Sequence, residues 1–435
     1  MGRLAKARGP AAAVAVYCVL AVLAYWPVSP LSSTQIMNCG CRDAAQEAWF
    51  LAWAPFALGH LHSLFFSDWI GYPHGVDLAA NTSMPLLGVL TAPITALWGP
   101  VADYNFLLRL SFAISATSCF FVLRREVDWQ PAAFVGGLLY GFSPYVVGEG
   151  LGHVFLAFVP IPPLLFAVTY GIVRGHSAKP WRAGLLLGVL GALQFFISPE
   201  ILVTTGLLLA VGLVAAAAVR PGAALLRLRS SLEAFGSTAA FLVISLAYPV
   251  WEFARGPQHI DGPSHSVAGL APYHADLLSA IVPSQSEKIA PFGLAAVGNR
   301  LTGFNVTETG AYVGIPLLML LGALAWRCRD DLRVRLAAFL GVVSFVLSMG
   351  PRLEVDGADT HVPLPFALLQ HVPIVQGASA GRFSLYTALF IAVVLVVGID
   401  DWRKTVAARI DPRRAKAVVA GVTVSCLLPL LPAFP

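Results

Sequence analysis

Apolar runs of roughly 16–20 residues recur from one end of the chain to the other, with short basic segments between them. A helix of that length crosses about 30 Å of hydrocarbon. Hydrophobic residues make up 57% of the chain and charged residues only 12%, which excludes an ordinary soluble globular domain. The pattern therefore predicts an all-α polytopic membrane protein, with residues 1–435 forming a single transmembrane domain.

The basic residues predict the orientation of the chain. Most of the 28 Lys and Arg residues fall in a few short segments: 3–8, 124–125, 174–182, 220–229, 327–335 and 403–416. Apolar spans are predicted between and around them at 11–27, 131–148, 154–173, 183–198, 201–219, 233–252, 312–326, 336–349, 383–399 and 417–433. If these spans alternate, every basic segment lies on one side, which the positive-inside rule assigns to the cytoplasm. The sequence thus predicts a multi-pass plasma-membrane protein with a cytoplasmic N-terminus.

The number of spans depends on one region near the N-terminus. Three apolar segments, 47–66, 85–98 and 105–123, lie where the chain must cross an odd number of times. Either only the last one spans, giving about 11 helices, or all three do, giving about 13. The first segment carries Trp49, Trp53 and two histidines among its apolar residues, which favours a helix lying in the membrane interface. We therefore expect 11 spans.

Long segments are expected on the extracytoplasmic side at 29–84, 253–311 and 350–382. They are rich in Gly, Pro and aromatic residues rather than in charge, and loops of this length are usually functional or disordered. Partial packing over the outer face is the better interpretation. The first of these loops contains Asp43, a carboxylate close to the bilayer and just ahead of the interfacial helix. Because ionised groups beside hydrocarbon are costly, Asp43 is a candidate site residue.

Several segments carry a resemblance to a known superfamily. They are 39–53 (CGCRDAAQEAWFLAW), 72–85 (YPHGVDLAANTSMP), 141–153 (GFSPYVVGEGLGH), 273–279 (YHADLLS) and 308–316 (ETGAYVGIP). With the N-terminal span, the interfacial helix and the later outer loop, they make the chain resemble the GT-C superfamily of integral-membrane glycosyltransferases. The chain looks most like actinobacterial members that are uncharacterised. The resemblance runs through most of the chain and implies a GT-C-like helical bundle.

The resemblance implies transfer of a sugar from a polyprenyl-phosphate donor to a lipid or glycan acceptor of the cell envelope, with inversion. An acidic residue of the first outer loop serves as the base in that picture, and here Asp43 matches. The alternative for Asp43 is an N-cap of a helix that starts near Ala44. Many relatives have two adjacent or alternate acidic residues, whereas the next acid here is Glu47, one helical turn on. Glu47 is either a supporting or metal-binding carboxylate or part of a solvated helix face.

A departing phosphate needs a cation near the outer edge of the membrane. Arg382 opens a span with Tyr386 one turn along the same face, and Arg109 lies a few residues inside another span. Snorkelling or pairing with Asp103 is the alternative for Arg109, and Arg300 is a weaker candidate. Other polar side chains predicted at the depth of Asp43 are candidates for binding sugar hydroxyls or for capping helix ends: Glu149, His153 and Glu200.

No metal site is assigned, because the histidines and Cys39/Cys41 show no ligand spacing. These two cysteines either form a disulfide or stay free. No cofactor is certain, and a divalent cation stays open. Membrane lipids are expected partners and nucleic acid is not, since no basic stripe is present. The competing functions are a transporter or flippase of a lipid-linked sugar and a non-catalytic glycan-binding scaffold.

Overall fold

The computed structural model describes residues 2–38, 40, 42–175, 179–262, 266–303, 305, 307–372 and 375–434. Cys39 and Cys41 lie outside the described residues, so the prediction that they either form a disulfide or stay free is not tested by the structure. The described part is mainly helical, with two small antiparallel strand pairs.

The N-terminal third contains the following helices, of which two short ones occupy the segment 85–98, a possible span in the sequence. They are α1 Gly2–Leu23, α2 Asp43–Gly59, α3 Pro85–Leu90, α4 Ala92–Trp98, α5 Pro100–Leu123, α6 Gln130–Gly141 and α7 Pro144–Glu149. The segment 85–98 is divided into α3 and α4, of 6 and 7 residues, and both pack against α2. Neither is long enough to cross a bilayer by itself.

The predicted span 131–148 is interrupted between α6 and α7, and each of the eight predicted spans that follow overlaps at least one helix. The remaining helices lie beyond α7. They are α8 Val154–Ala157, α9 Ile161–Arg174, α10 Pro180–Ile197, α11 Pro199–Val219, α12 Pro221–Leu226, α13 Leu228–Arg255, α14 Val267–Leu270, α15 Leu294–Leu301, α16 Ile315–Arg327, α17 Leu332–Ser348, α18 Phe366–Leu369, α19 Ser384–Ala407 and α20 Pro412–Leu427. The strands are β1 Phe66–Ser67 with β2 Val76–Asp77, and β3 Arg352–Val355 with β4 Ala358–Pro363.

Within the described residues, six helical runs are long and apolar enough to cross a membrane: Pro100–Leu123, Val154–Arg174, Pro180–Ile197, Pro199–Val219, Leu228–Arg255 and Ala380–Ala407. The chain is therefore a helical membrane protein, as the sequence predicts. In the most apolar 18-residue stretch of the last run, which contains α19, 89% is buried, whereas in the corresponding stretch of the run containing α13 only 11% is buried. Since α6, α16 and α17 all pack on α19, this helix is the centre of the bundle and α13 lies at its edge.

Small residues allow the helices to approach closely. Gly141 of α6 lies against the backbone of Ala116 in α5, where a Cβ on the glycine would come within 2.5 Å of the Ala116 nitrogen. Gly184 of α10 is in similarly close contact with the Ala234 carbonyl of α13. In lipid, no hydrophobic effect drives helices together. Close backbone contact at small residues is therefore a common way for them to associate.

Candidate functional site

Five separated segments bring charged side chains together at one end of the bundle. The group, called the acidic cluster below, consists of Asp43, Glu47, Glu149, His153, Glu200, Glu308 and Arg382. Its members come from α2, the end of α7 and the turn that follows it, the start of α11, the segment before α16, and the turn that leads into α19. Most of the candidates named from the sequence thus lie together.

Arg382 lies at the centre of the cluster. Its Nη1 donates to Glu149 Oε1 at 2.8 Å and also to Glu308, and its Nε donates to Glu200 Oε1 at 3.2 Å. The residue is only 7% exposed. Charge-assisted hydrogen bonds of this kind fix both partners in position. Arg382 is predicted from the sequence to face a phosphate, but in this arrangement its Nε and Nη1 donate to carboxylates.

His153 lies between Glu149 on one side and Asp43 and Glu308 on the other. Its Nδ1 is 2.9 Å from Glu149 Oε2, and its Nε2 is 3.4 Å from Asp43 Oδ2 and 3.9 Å from Glu308 Oε1. Burial alone would lower the pKa of His153, but the hydrogen bonds to Asp43 and Glu149 outweigh it and raise the pKa to about 10. His153 is therefore an imidazolium at neutral pH and offers donors to both sides.

Asp43 is the part of the cluster that is open to the surroundings, since its side chain is 50% exposed. The helix starts at Asp43 and Arg42 occupies the N-cap position, so the N-cap interpretation of Asp43 is wrong. A carboxylate in the first turn is still favoured by the helix dipole. The hydrogen bond from His153 lowers the pKa of Asp43, against a smaller effect of partial burial. Asp43 is therefore ionised at neutral pH.

Glu47 lies one turn further along α2 and faces the interior. It is 2% exposed, and its Oε2 accepts a hydrogen bond from the Val154 backbone N–H at 2.8 Å. In the described part of the chain, Glu47 Oε1 has no hydrogen-bond partner. Burial raises the pKa of Glu47 well above its usual range. The interpretation of Glu47 as part of a solvated helix face is wrong, because α3, α4 and α5 pack on α2.

Two Ser-Pro pairs position acids of the cluster. Ser143 caps α7 and Ser198 caps α11, each with a proline at the first helical position. Glu149 ends α7, and Glu200 lies in the first turn of α11, where its Oε1 also accepts from the Ser379 N–H at 3.0 Å. Local sequence signals thus set the positions of both carboxylates.

Glu308 is held by a turn and by two glycines. The Asn305 side chain accepts from the Thr307 hydroxyl at 2.6 Å, and the Asn305 carbonyl accepts from the Thr309 hydroxyl at 2.6 Å. Gly310 packs on the Pro144 carbonyl, where an added Cβ would lie 2.6 Å away. An added Cβ at Gly381 would collide with the Glu308 carbonyl oxygen. The two glycines therefore let this segment contact both α7 and the turn before α19.

The cluster holds more carboxyl groups than cationic side chains. Five acids, Asp43, Glu47, Glu149, Glu200 and Glu308, surround His153 and Arg382, and burial raises the pKa of both Glu47 and Glu149. Donor atoms of Glu149, His153 and Glu308 lie within 4.8 Å of one another and could hold a metal ion. Carboxylate and imidazole ligands suit several divalent ions. Because His153 must first lose a proton, we expect such binding to strengthen as the pH rises.

Three sequence candidates lie outside the cluster. Arg109 Nη1 donates to the Asn105 carbonyl at 2.9 Å and its Nη2 to the Val28 carbonyl at 2.7 Å, so it fixes the chain just beyond α1. The suggested pair with Asp103 is wrong, since that carboxylate accepts from two threonine hydroxyls, those of Thr91 and Thr95.

The other two are Arg300 and Tyr386. Arg300 forms an exposed ion pair with Asp356 at 3.0 Å. The Tyr386 hydroxyl is fully buried and lies 2.7 Å from Thr204 Oγ1 and 2.9 Å from Thr205 Oγ1. It lies in α19, four residues after Arg382.

Glu308 is not among the site residues predicted from the sequence, although it lies within one of the segments that carry the resemblance. The signal available was a lone acid in the uncharged stretch 301–326. Without the fold nothing indicated that this acid approaches Arg382, since the two are 74 residues apart.

No curated protein is similar enough to this chain to count as a match. One protein family matches residues 12–422, which is nearly the whole chain. The chain therefore belongs to the family described as "Domain of unknown function (DUF6311)".

Proposed function

We propose that this protein is a membrane glycosyltransferase of GT-C type. It moves a sugar from a polyprenyl-phosphate donor to a lipid or glycan acceptor of the cell envelope. The observation that carries this proposal is the half-exposed, ionised Asp43, held by His153 in a cluster built from five separated chain segments. Buried charge clusters are costly to maintain, so a cluster that opens to the surroundings through a single carboxylate favours a chemical role over a purely structural one.

In the proposed reaction, Asp43 accepts the proton of the acceptor hydroxyl. The acceptor oxygen forms a bond to the anomeric carbon, the bond from that carbon to the phosphate oxygen breaks, and the polyprenyl phosphate leaves with the electron pair. The configuration inverts because attack and departure occur on opposite faces. An ionised carboxylate is the form that a general base requires.

His153 and Arg382 position the base in this account. His153 binds Asp43 through Nε2 and Glu149 through Nδ1, and Arg382 fixes Glu149 and Glu200. This chain of contacts holds the Asp43 carboxylate in one orientation, and such positioning lowers the barrier to a group transfer. Arg382 binds the leaving phosphate only if one of its carboxylate partners moves. A divalent cation held by Glu149, His153 and Glu308 would supply positive charge for that phosphate once His153 has lost its proton.

The chain is proposed to cross the plasma membrane 11 times with its N-terminus in the cytoplasm. The division of 85–98 into the short helices α3 and α4 supports this number over 13. The basic segments then lie inside and the acidic cluster outside. Two cysteine variants in a chain with Cys39 and Cys41 replaced by Ser test the orientation. A membrane-impermeant thiol reagent added to intact cells should label Ser33→Cys and not Lys416→Cys. The opposite labelling would reverse the orientation.

The function is tested with membranes that contain the full-length chain. Radiolabelled polyprenyl-phosphate mannose, arabinose and glucose are each supplied, and transfer to membrane lipid or glycan is measured against membranes without the protein. We expect one donor to give protein-dependent transfer. If none of the three donors is used, the proposal fails. Movement of an intact donor across sealed vesicles without any transfer would show a flippase instead.

A further inference from the structure

We propose that a large cavity at the end of the bundle opposite to the acidic cluster binds a phospholipid with an anionic headgroup. The cavity has a volume of about 930 Å³. Its walls are formed by α5, α9, α11, α17 and α19. This size lies at the upper end of the range for small-molecule sites, roughly 300–1,000 Å³. The proposal concerns a lipid site separate from the transfer chemistry.

The position of the cavity follows from the direction of α19. Arg382, in the turn before this helix, lies in the acidic cluster, while Leu389, Phe390 and Val397 line the cavity. At 1.5 Å per residue, the first of these lies about 10 Å further along the bundle than Arg382. The buried Tyr386 and its two threonine partners lie between the cluster and the cavity. The two sites are therefore distinct.

The walls of the cavity suit acyl chains. Most of the side chains that face it are aliphatic or aromatic, among them Val122, Phe166, Leu213, Leu340 and Phe390. Apolar surface of this kind is normally covered by protein or by lipid tails, since leaving it exposed to water is costly. Because the lining helices α5, α9, α11 and α19 belong to apolar spans, the cavity lies at the depth of lipid tails.

The mouth of the cavity is basic. Arg125, Arg174 and Arg220 line it, and among the described residues none of them pairs with a carboxylate. A fourth arginine, Arg333, forms ion pairs with Asp331 and Glu126. With Asp330, the mouth carries four arginines and three acids, which is an excess of one positive charge.

This arrangement distinguishes an anionic lipid from a neutral one. Arginines near the membrane surface attract anionic headgroups, and each contributes to the affinity.

The test uses the full-length chain, purified in mild detergent and freed of endogenous lipid. Phosphatidylglycerol and phosphatidylcholine with identical acyl chains are titrated, and bound lipid is measured by native mass spectrometry. We expect one tightly bound phosphatidylglycerol and weaker phosphatidylcholine binding. Arg220→Gln should weaken phosphatidylglycerol binding about fivefold. The matched control Arg229→Gln, an exposed arginine that does not line the cavity, should leave it unchanged.

A second pair of variants tests the apolar part of the site. Ala216 lines the cavity, and Ala217 is exposed on the same helix without lining it. Ala216→Phe should reduce the binding of both lipids, and Ala217→Phe should not. If Ala216→Phe does not fold, the two arginine variants decide the question alone.

Three results of these comparisons would overturn the proposal, and a competition experiment adds a fourth. They are equal binding of the two lipids, equal effects of Arg220→Gln and Arg229→Gln, and equal effects of Ala216→Phe and Ala217→Phe in folded protein. Polyprenyl phosphate is added as a competitor. If it displaces phosphatidylglycerol at equal concentration, the cavity is a donor site and the proposal is wrong. Binding of phosphatidylglycerol should also survive Asp43→Asn, which separates this site from the proposed transferase.

Discussion

Arg382 donates a 2.8 Å hydrogen bond to Glu149, although 233 residues separate the two in the chain. This contact joins the turn before the central helix α19 to the end of α7. Both side chains are almost completely buried. The pair therefore holds two parts of the bundle together at the place where Asp43 opens to the surroundings.

Removal of the arginine should be strongly destabilising. Arg382→Ala leaves Glu149, Glu200 and Glu308 without their common cation, and breaking a buried ion pair by removing one partner costs about 3–5 kcal/mol. The free energy of unfolding is measured in detergent micelles. Arg300→Ala is the control, because its ion pair with Asp356 is about 60% exposed on the arginine side, and exposed pairs contribute about 0–1 kcal/mol. Equal losses in the two variants would contradict the central place of Arg382.

Gly381→Ala should displace the Glu308 segment. The new Cβ collides with the Glu308 carbonyl oxygen, a backbone atom that cannot rotate away. Overpacking of this kind costs about 1–3 kcal/mol. Gly377→Ala in the same segment is the matched control, since nothing lies within 4 Å of its added Cβ. We expect a lower melting temperature for the first variant only, and an unchanged melting temperature for Gly381→Ala would show that the segment yields freely.

His153 should make stability depend on pH. Its pKa rises from 6.5 to about 10 in the folded protein. A group whose pKa is raised by folding stabilises the protein fully below its unfolded pKa, and this contribution is lost as the pH rises through the folded pKa. The difference in unfolding free energy between wild type and His153→Gln, measured with a metal chelator present, should therefore decline between pH 6.5 and about 10. A difference that is constant over this range would mean that His153 is neutral. His361→Gln serves as an exposed control.

Replacement of Glu47 by glutamine should leave the stability of the protein nearly unchanged, whereas truncation of its side chain should lower it. Burial already favours the neutral form, so Glu47→Gln keeps the shape and an acceptor for the Val154 N–H. Glu47→Ala leaves that N–H buried without a partner, which costs about 1–3 kcal/mol. Chemical unfolding of the two variants separates these effects. A large loss of stability in Glu47→Gln would show that the carboxylate is charged in the folded protein.

The helices were predictable because a membrane restricts both the length and the composition of a span. Basic segments predicted which connections share one side of the membrane. The predicted span 131–148, in contrast, ran across the Ser143-Pro144 pair at which α7 begins. The gathering of Glu149, His153, Glu200 and Arg382 at one depth was also expected from the ends of the spans. These features depend on local sequence.

The partners inside the cluster could not be predicted in this way. Which carboxylate meets Arg382 depends on the rotation and packing of α7, α11 and α19, which the hydrophobic pattern does not determine. Arg109 illustrates the same limit, because an arginine inside a span can serve substrate binding or, as here, bind backbone carbonyls of a neighbouring segment. Glu308 lies in an irregular segment whose path has no periodic signal at all.

The central claim is that Asp43 is the base of a sugar transfer. It is tested most directly with purified protein, the donor that supports transfer, and Asp43→Asn beside Asp68→Asn. Asp68 is an exposed carboxylate of the same loop that forms none of the ion pairs of the cluster. We predict that Asp43→Asn lowers the rate of transfer by about 10²–10⁴-fold, the usual contribution of a general base, while Asp68→Asn retains the wild-type rate. A folded Asp43→Asn protein with the wild-type rate would contradict the account.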